Sequence, residues 1–302
     1  MTDDRCAEIE KSLRKKFRKD IMSPFVKAIT NYELLSPGDH IAVCISGGKD
    51  SMLMAKCFQE LKRRNKIPFE LTFLCMDPGY TPETLAMIES NAALLQIPLT
   101  LFHSDIFEAV FDIEKSPCYL CARMRRGHLY SKAKELGCNK IALGHHYDDV
   151  IETTLLSILY SGQTQTMMPK LHSDNFEGME LIRPMYLIRE EDVKRFRDYN
   201  GLTFIRCACK FTQRLAEEAA RKEAAYGNAG EASESGSASD GRGTGDSASK
   251  RLEVKRLIEQ MKTTNHDVEA NIFRSMSNIH LGAVLGYKDK DKVYHPFTED
   301  YE

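Results

Sequence analysis

No run of about 18 apolar residues occurs in the 302-residue sequence, so no segment is long and apolar enough for a membrane-spanning helix. The first twenty residues, MTDDRCAEIEKSLRKKFRKD, contain no apolar h-region, and a secretory signal is not expected. Nor does one sign of charge dominate. Lys and Arg total 42 against 44 Asp and Glu, a net charge of −2. A global basic signature is thereby excluded, although a local patch suffices for phosphate contacts. An even cysteine count is also missing. Nine cysteines in a chain expected to be soluble and cytoplasmic argue against a disulfide framework. With 42% hydrophobic residues, the length suits one large domain or a domain with an appendage.

What is present is an alternation. Apolar strand-like runs occur at 41–45 (IAVCI), 71–76 (LTFLCM), 99–103 (LTLFH) and 141–144 (IALG). Between them lie helix-like segments. Leu53, Cys57 and Leu61 recur every fourth residue, residues 83–95 and 123–136 favour helix, and Ile151, Leu155, Ile158 and Leu159 form a further stripe. Strands apolar throughout, alternating with helices, predict an α/β fold with an open, mostly parallel sheet covered on both faces. Residues 1–36 read as a basic helical segment and 37–226 as the main domain. Residues 227–249 contain no bulky apolar side chain and read as a flexible, disordered Gly/Ser-rich insert. A C-terminal helix and tail follow at 250–302.

The run IAVCI breaks into SGGKDS at 46–51, and apolar periodicity then resumes. This loop is not the G-x-x-x-x-G-K-[ST] phosphate loop. The logic is related: glycines after a strand free backbone N–H groups to point inward, and a helix starting near Asp50 adds the positive end of its dipole. Ser46 and Ser51 can donate to phosphate oxygens, and Lys49 adds charge. Asp50 would repel a phosphate, so a helix N-cap or metal-bridged role is expected for it. The loop resembles the PP-loop of the ATP pyrophosphatase superfamily, whose members adenylate a carbonyl oxygen and release pyrophosphate. ALGHHYDDVIET at 142–153 fits the same superfamily. The resemblance places His145, Asp148 and Asp149 at a later strand end, facing the nucleotide.

Four of the cysteines lie in or beside apolar runs and read as buried, inert thiols: Cys44, Cys57, Cys75 and Cys138. Two pairs differ. Cys118 and Cys121 stand in C-x-x-C, and Cys207 and Cys209 in C-x-C. A redox dithiol lacks a thioredoxin-like context here. A four-cysteine zinc and an iron–sulfur cluster with three or four cysteines remain, and spacing does not separate them.

The pieces SGGKDS, PC-x-x-CAR-x-RRG-x-LY, ELG-x-x-KIALGHH-x-DD, MMPKL-x-SD and IRP-x-x-x-x-REED occur in order from about residue 10 to 215. Together they resemble the tRNA 2-thiocytidine synthetase family. The resemblance implies an adenine nucleotide alpha hydrolase-like fold with C-terminal helices. It also implies ATP, Mg²⁺ and a [4Fe-4S] cluster. In the implied activity the enzyme adenylates an anticodon-loop cytidine, cytidine 32 in the family, and exchanges its C2 oxygen for sulfur. The nucleotide would be held by Ser46, Gly47, Gly48, Lys49, Asp50, Ser51, Gly144 and His145, with Lys49, Asp50 and Asp149 catalytic. Cys118, Cys121 and Cys209 would hold the cluster, although the family's later pair is C-x-x-C and Cys207 competes with Cys209. Implied partners are tRNA and a sulfur donor such as a cysteine desulfurase, and a homodimer is compatible with them. Arg123, Arg125, Arg126, Lys132 and Lys134, with Lys11, Arg14, Lys15, Lys16, Arg18 and Lys19, form a candidate phosphate-binding face. The rival readings are 2-thiouridine synthesis, an ammonia-delivering ATP-dependent ligase, and a zinc-stabilised tRNA-binding protein without catalysis.

Overall fold

The computed structural model of the protein describes residues 2–64, 66–104, 117–205, 246–289 and 291–299. Six strands form one sheet: β1 (His40–Ile45), β2 (Glu70–Asp77), β3 (Leu99–His103), β4 (Lys140–Ala142), β5 (Lys170–His172) and β6 (Glu180–Ile182). Their order is β3-β2-β1-β4-β6-β5. All neighbouring pairs run parallel except β5 and β6. The chain thus builds outward from β1 in one direction to β3, then returns to add β4 on its other side. A point where strand order reverses leaves a crevice at the carboxyl ends of the two central strands.

Register deepens that crevice. The pairing of β1 with β4 stops at Val43 and Ala142, whereas β1 continues beside β2 to Ile45 opposite Cys75. Cys44 and Ile45 therefore have no neighbour on the β4 side. The expected strand 141–144 is accordingly shorter, because Leu143 and Gly144 already belong to the loop. The expected parallel sheet is found; strands β5 and β6, three residues each, were not foreseen.

The helices are α1 (Thr2–Arg14), α2 (Ser23–Asn31), α3 (Lys49–Arg63), α4 (Pro82–Leu94), α5 (Pro117–Glu135), α6 (Tyr147–Ser161), α7 (Glu190–Tyr199), α8 (Asp246–Lys262) and α9 (Val268–Ser275). Helix α8 thus begins inside the Gly/Ser-rich stretch; residues 227–245 of that stretch lie outside the described residues. None of these helices is long and apolar enough to cross a membrane.

The N-terminal helices are explained by a stripe of period four. Ile9, Leu13, Phe17, Ile21, Phe25 and Ile29 are all buried. On an α-helix a four-residue period drifts by about 40° per repeat. The chain absorbs the drift with a wider π-helical turn at Arg18–Met22, where the amides of Phe17 and Met22 bond five residues back, to Ser12 and Phe17. The stripe joins the core that covers one face of the sheet, with Val43, Met52, Phe58 and Phe73. A second cluster, built from Ala42, Leu74, Tyr130, Ile141 and Leu181, covers the other face.

Two buried lysines brace this unit. Lys56 Nζ contacts Glu10 Oε1 and Gln59 Oε1, both at 2.7 Å, and the Leu95 carbonyl at 2.9 Å. Glu10 is also bound by Arg63. Lys140 Nζ lies 2.9 Å from both Asp39 and Glu180 and 3.1 Å from the Leu34 carbonyl. It sits at the first residue of β4, so these contacts fasten β1, β4 and β6 together at their amino-terminal ends.

Residues Met1–Asp149 and Met168–Ser249 make up this unit; Val150–Met167 and Lys250–Glu302 form a second. In the second, Glu152 faces Arg251 at 3.7 Å and Lys255 at 3.9 Å, and Val254, Ile258 and Val268 are buried. It closes with a two-stranded hairpin, β7 (Gly286–Lys288) and β8 (Tyr294–Pro296).

Candidate functional site

The end of β1 turns through Ser46, Gly47 and Gly48 into α3. Gly47 has φ +80°, and a Cβ there would meet Ile88 Cγ1 at 2.5 Å and Ile205 Cδ1 at 2.8 Å. Both backbone conformation and space demand glycine. Gly48 differs. Its φ is −79° and ψ 164°, and the nearest atom to an added Cβ, Ser46 Oγ, is 3.6 Å away. What its missing side chain leaves is open backbone at the N-cap of α3. No side chain caps that terminus, and first-turn amides have no intrahelical acceptor. They form the positive end of the helix dipole, suited to an anion.

Hydroxyls shape the loop. Ser46 donates from both N and Oγ to Ser51 Oγ at 3.1 Å, and Ser51 Oγ donates to the Gly48 carbonyl at 3.0 Å. Asp50 is not the N-cap, since Gly48 holds that position. The Asp50 carboxylate instead accepts from Lys49 Nζ at 2.9 and 3.1 Å. Lys49 Nζ also lies 3.3 Å from Glu190 Oε1.

The loop after β4 lies directly against this first turn. A Cβ on Gly144 would be 3.2 Å from Ser51 N and 3.3 Å from Asp50 C. Glycine here allows backbone to pack on backbone. Two residues on, His146 and Asp149 cap α6 reciprocally: His146 N donates to Asp149 Oδ2 at 3.0 Å, and Asp149 N to His146 Nδ1 at 3.4 Å. This is a capping box with an imidazole in place of the usual hydroxyl. His146 Nε2 reaches to 3.9 Å from Asp50 Oδ1, linking the two loops. Asp148 has a separate task. It accepts from Glu190 N at 2.6 Å and Arg189 Nη2 at 3.1 Å, and so caps α7.

Between the loops lies a cleft of about 450 Å³. Ser46, Asp50 and Ser51 line it from the first loop, and Gly144, His145 and Asp149 from the second. Arg125 and Arg126 of α5 also line it. Cys44, Ile45, Met76, Leu129 and Leu143 supply apolar surface. Carboxylates, cations and hydroxyls therefore line one cavity with an apolar wall, the composition of a nucleotide site. Arg125 Nη2 donates to the Tyr80 hydroxyl at 3.4 Å. Burial pushes that hydroxyl's pKa up. Behind the cleft, Arg183 is buried and its Nε donates to His145 Nδ1 at 3.3 Å. Burial, with Arg126 nearby, lowers its pKa to about 10. The Arg183 bond fixes the His145 proton on Nε2.

Of the expected site residues, Ser46, Asp50, Ser51, Gly144, His145 and Asp149 line the cleft, and Gly47, Gly48 and Lys49 stand in the same loop as the first three. Cys118 and Cys121 lie in the first two turns of α5. They precede Arg125 and Arg126 on the same helix. Cys207 and Cys209 lie outside the described residues. Several cations of the expected basic face have partners within the protein. Lys132 pairs with Glu135 at 2.6 Å, Lys134 donates to the Glu177 carbonyl at 3.3 Å, Arg14 pairs with Glu60 at 3.0 Å, and Lys16 sits over the Tyr199 ring at 3.6 Å. Sequence reasoning missed Arg183, His146 and Glu190, although IRP-x-x-x-x-REED contained two of them.

Comparison with known proteins gives the PP-loop domain family over residues 14–224. A tRNA-cytidine(32) 2-sulfurtransferase of Syntrophotalea carbinolica is 42% identical over 186 residues, covering 61% of this chain and 71% of that protein. The protein of the same name in Shewanella woodyi is 37% identical over 213 residues, 69% and 66% of the two chains. That of Neisseria meningitidis serogroup C is 40% identical over 187 residues, 60% and 57%. The match thus spans 57% to 71% of these relatives' lengths. Among solved structures, the U34-tRNA thiolase NcsA of Methanococcus maripaludis with its [4Fe-4S] cluster has the same fold. Its TM-score is 0.60 at 18% identity, covering 89% of this chain and 85% of that one.

Proposed function

Because the chain belongs to the PP-loop domain family, as a relative of the tRNA-cytidine(32) 2-sulfurtransferases, we propose that it is an ATP-dependent tRNA sulfurtransferase that converts an anticodon-loop cytidine to 2-thiocytidine. The observation carrying this reading is the meeting of the loops 46–51 and 144–149 over one cleft.

ATP and Mg²⁺ enter as substrates. The uncapped first turn of α3 and Lys49 bind the phosphates, and the bare Gly48 backbone admits them closely. Lys49 is shared between Asp50 and Glu190 before ATP arrives. A triphosphate outcompetes them by charge, and a divalent cation offsets its repulsion of Asp50 and Asp149. Arg125 and Arg126 neutralise the charge that develops as the C2 oxygen attacks the α-phosphate of ATP and pyrophosphate leaves. His145, held with its proton on Nε2, donates to the nucleotide rather than taking a proton from it. The apolar wall of Ile45, Met76 and Leu129 excludes water, which would otherwise hydrolyse the activated base.

The thiolate donor set fits an iron–sulfur cluster. Cys118 and Cys121 of α5, with Cys209, would hold it in this reading. When bound, the cluster supplies an iron site that can hold the incoming sulfur. In this reading ATP binding and these cysteines belong to residues 37–226, with 1–36 as a basic helical segment, 227–249 as a linking insert and 250–302 as a C-terminal segment. A sulfur donor such as a cysteine desulfurase, a cytoplasmic location and a homodimer accompany the reading.

The test is anaerobic incubation of the iron-loaded protein with tRNA, ATP, Mg²⁺ and sulfide, followed by mass spectrometry of the tRNA nucleosides. The expected products are 2-thiocytidine, AMP and pyrophosphate. Appearance of 2-thiouridine would reassign the base. Zinc in place of iron, with no thionucleoside, would reject the enzyme reading.

A further inference from the structure

A second concavity lies far from the nucleotide cleft. It has a volume of about 380 Å³ and is formed by the π-helical turn, α2 and the end of α3. Each element contributes one cation: Arg18, Lys27 and Arg64. Ser23, Thr30 and Asn31 add hydrogen-bonding side chains, Met22 and Val26 form the apolar floor, and no acidic residue lines the groove among the described residues. The surroundings share this sign. Residues 11–31 and 62–66 hold eleven lysines and arginines and a single acid, in a chain of net charge −2. That acid, Asp20, is engaged by Arg195 at 3.1 Å.

We infer that this groove binds the phosphodiester backbone of RNA, as a second contact for the tRNA of the proposed reaction. The inference rests on that functional reading and extends it to a place outside the cleft. Three arguments carry it. First, like charges from three separate elements converge on one concavity, at a cost in mutual repulsion that an anionic ligand relieves. Second, Arg64 immediately follows α3 while Lys49 begins it, and a 15-residue helix is about 22 Å long. A ligand touching both ends must be about that size, which a polynucleotide is and a mononucleotide is not. Third, no large hydrophobic side chain in residues 2–64 is exposed. A membrane-docking face would need such anchors, whereas backbone recognition needs charge and hydrogen-bond donors.

The test compares the full-length protein with the triple variant R18Q/K27Q/R64Q in tRNA binding across a salt series. All three side chains are on the surface, and an unchanged melting temperature checks the fold. The expected result is roughly a tenfold or greater loss of tRNA affinity. The slope of log K against log salt should become shallower by about one for each phosphate that the variant no longer neutralises. ATP binding stays unchanged, and the charge-preserving R18K/K27R/R64K variant keeps the affinity. Wild-type binding with an unchanged constant and slope in the triple variant would overturn the groove and leave the functional reading standing. Failure of the wild type to bind tRNA at all would overturn both. Charge-dependent binding to phosphatidylglycerol vesicles, with tRNA binding unaffected, would assign the groove to a lipid surface instead.

Discussion

Gly47 and Gly48 are adjacent and identical in sequence, yet they answer to different constraints. At Gly47 an alanine would have φ +80° and place its Cβ 2.5 Å from Ile88. Gly47→Ala should therefore destabilise the protein by about 2 kcal/mol or more, read from urea denaturation. Gly48→Ala meets nothing nearer than 3.6 Å and should stay within about 1 kcal/mol of wild type. ATP affinity, measured by titration calorimetry, should nevertheless fall roughly tenfold or more, equivalent to about 1.4 kcal/mol. Equal stability losses in both variants would mean that Gly48 is also a packing residue. Lys49→Ala should abolish thiolation while iron per protein is unchanged, because the loop and the C-x-x-C lie on different elements. Loss of iron would contradict that separation. The nucleotide loop was legible because its glycines, lysine and hydroxyls are contiguous. Arg183 was not, because an isolated arginine looks solvent-exposed until the fold buries it behind His145.

Helices and strands were legible to the extent that they were long. Helix α3 and strands β1 to β3 carry enough residues for periodicity or apolar runs to register. The three-residue strands β5 and β6 do not, whereas β4, equally short, was legible because its apolar run IALG continues into the following loop. The N-terminal basic run concealed a buried stripe, since a period of four held over six positions drifts off one face of a regular α-helix, and the π-helical turn brings it back. Helix α5 extends upstream of its basic stretch to include Cys118 and Cys121, which proline at 117 permits at a helix start. The tie between α1 and α3 yields a prediction. Glu10→Gln leaves buried Lys56 without its closest carboxylate, and should cost about 3 kcal/mol or more in chemical denaturation. Combining Glu10→Leu with Lys56→Met should recover much of that loss. A double variant as unstable as the single one would show that packing, not charge, dominates there.

At the scale of the whole molecule, pH exposes the buried charges. Burial pushes the Glu10 pKa up, but hydrogen bonds from Arg63 and Lys56 outweigh it and hold the carboxyl at about 2 rather than its ordinary 4.5. Asp39 and Glu180, around Lys140, are lowered in the same way against burial. A carboxyl with a depressed folded-state pKa contributes stability above its ordinary value and loses it as pH falls. The urea midpoint should decline as pH drops from 4.5 towards 2, with a smaller change between pH 6 and 8. The thiols behave oppositely. Burial pushes Cys44 and Cys75 up to about 12 and raises Cys6, Cys57 and Cys138. Iodoacetamide at pH 8 should leave all five unmodified in the native protein and label them after denaturation; peptide mass spectrometry reads the outcome. The Lys140 cluster has a mechanical consequence as well. It fastens β1, β4 and β6 at one end of the sheet, while the phosphate-facing loops occupy the other. The strands that carry the cleft loops are thus anchored at their far ends by buried ion pairs, so the cleft stands on a frame whose fastening lies outside it.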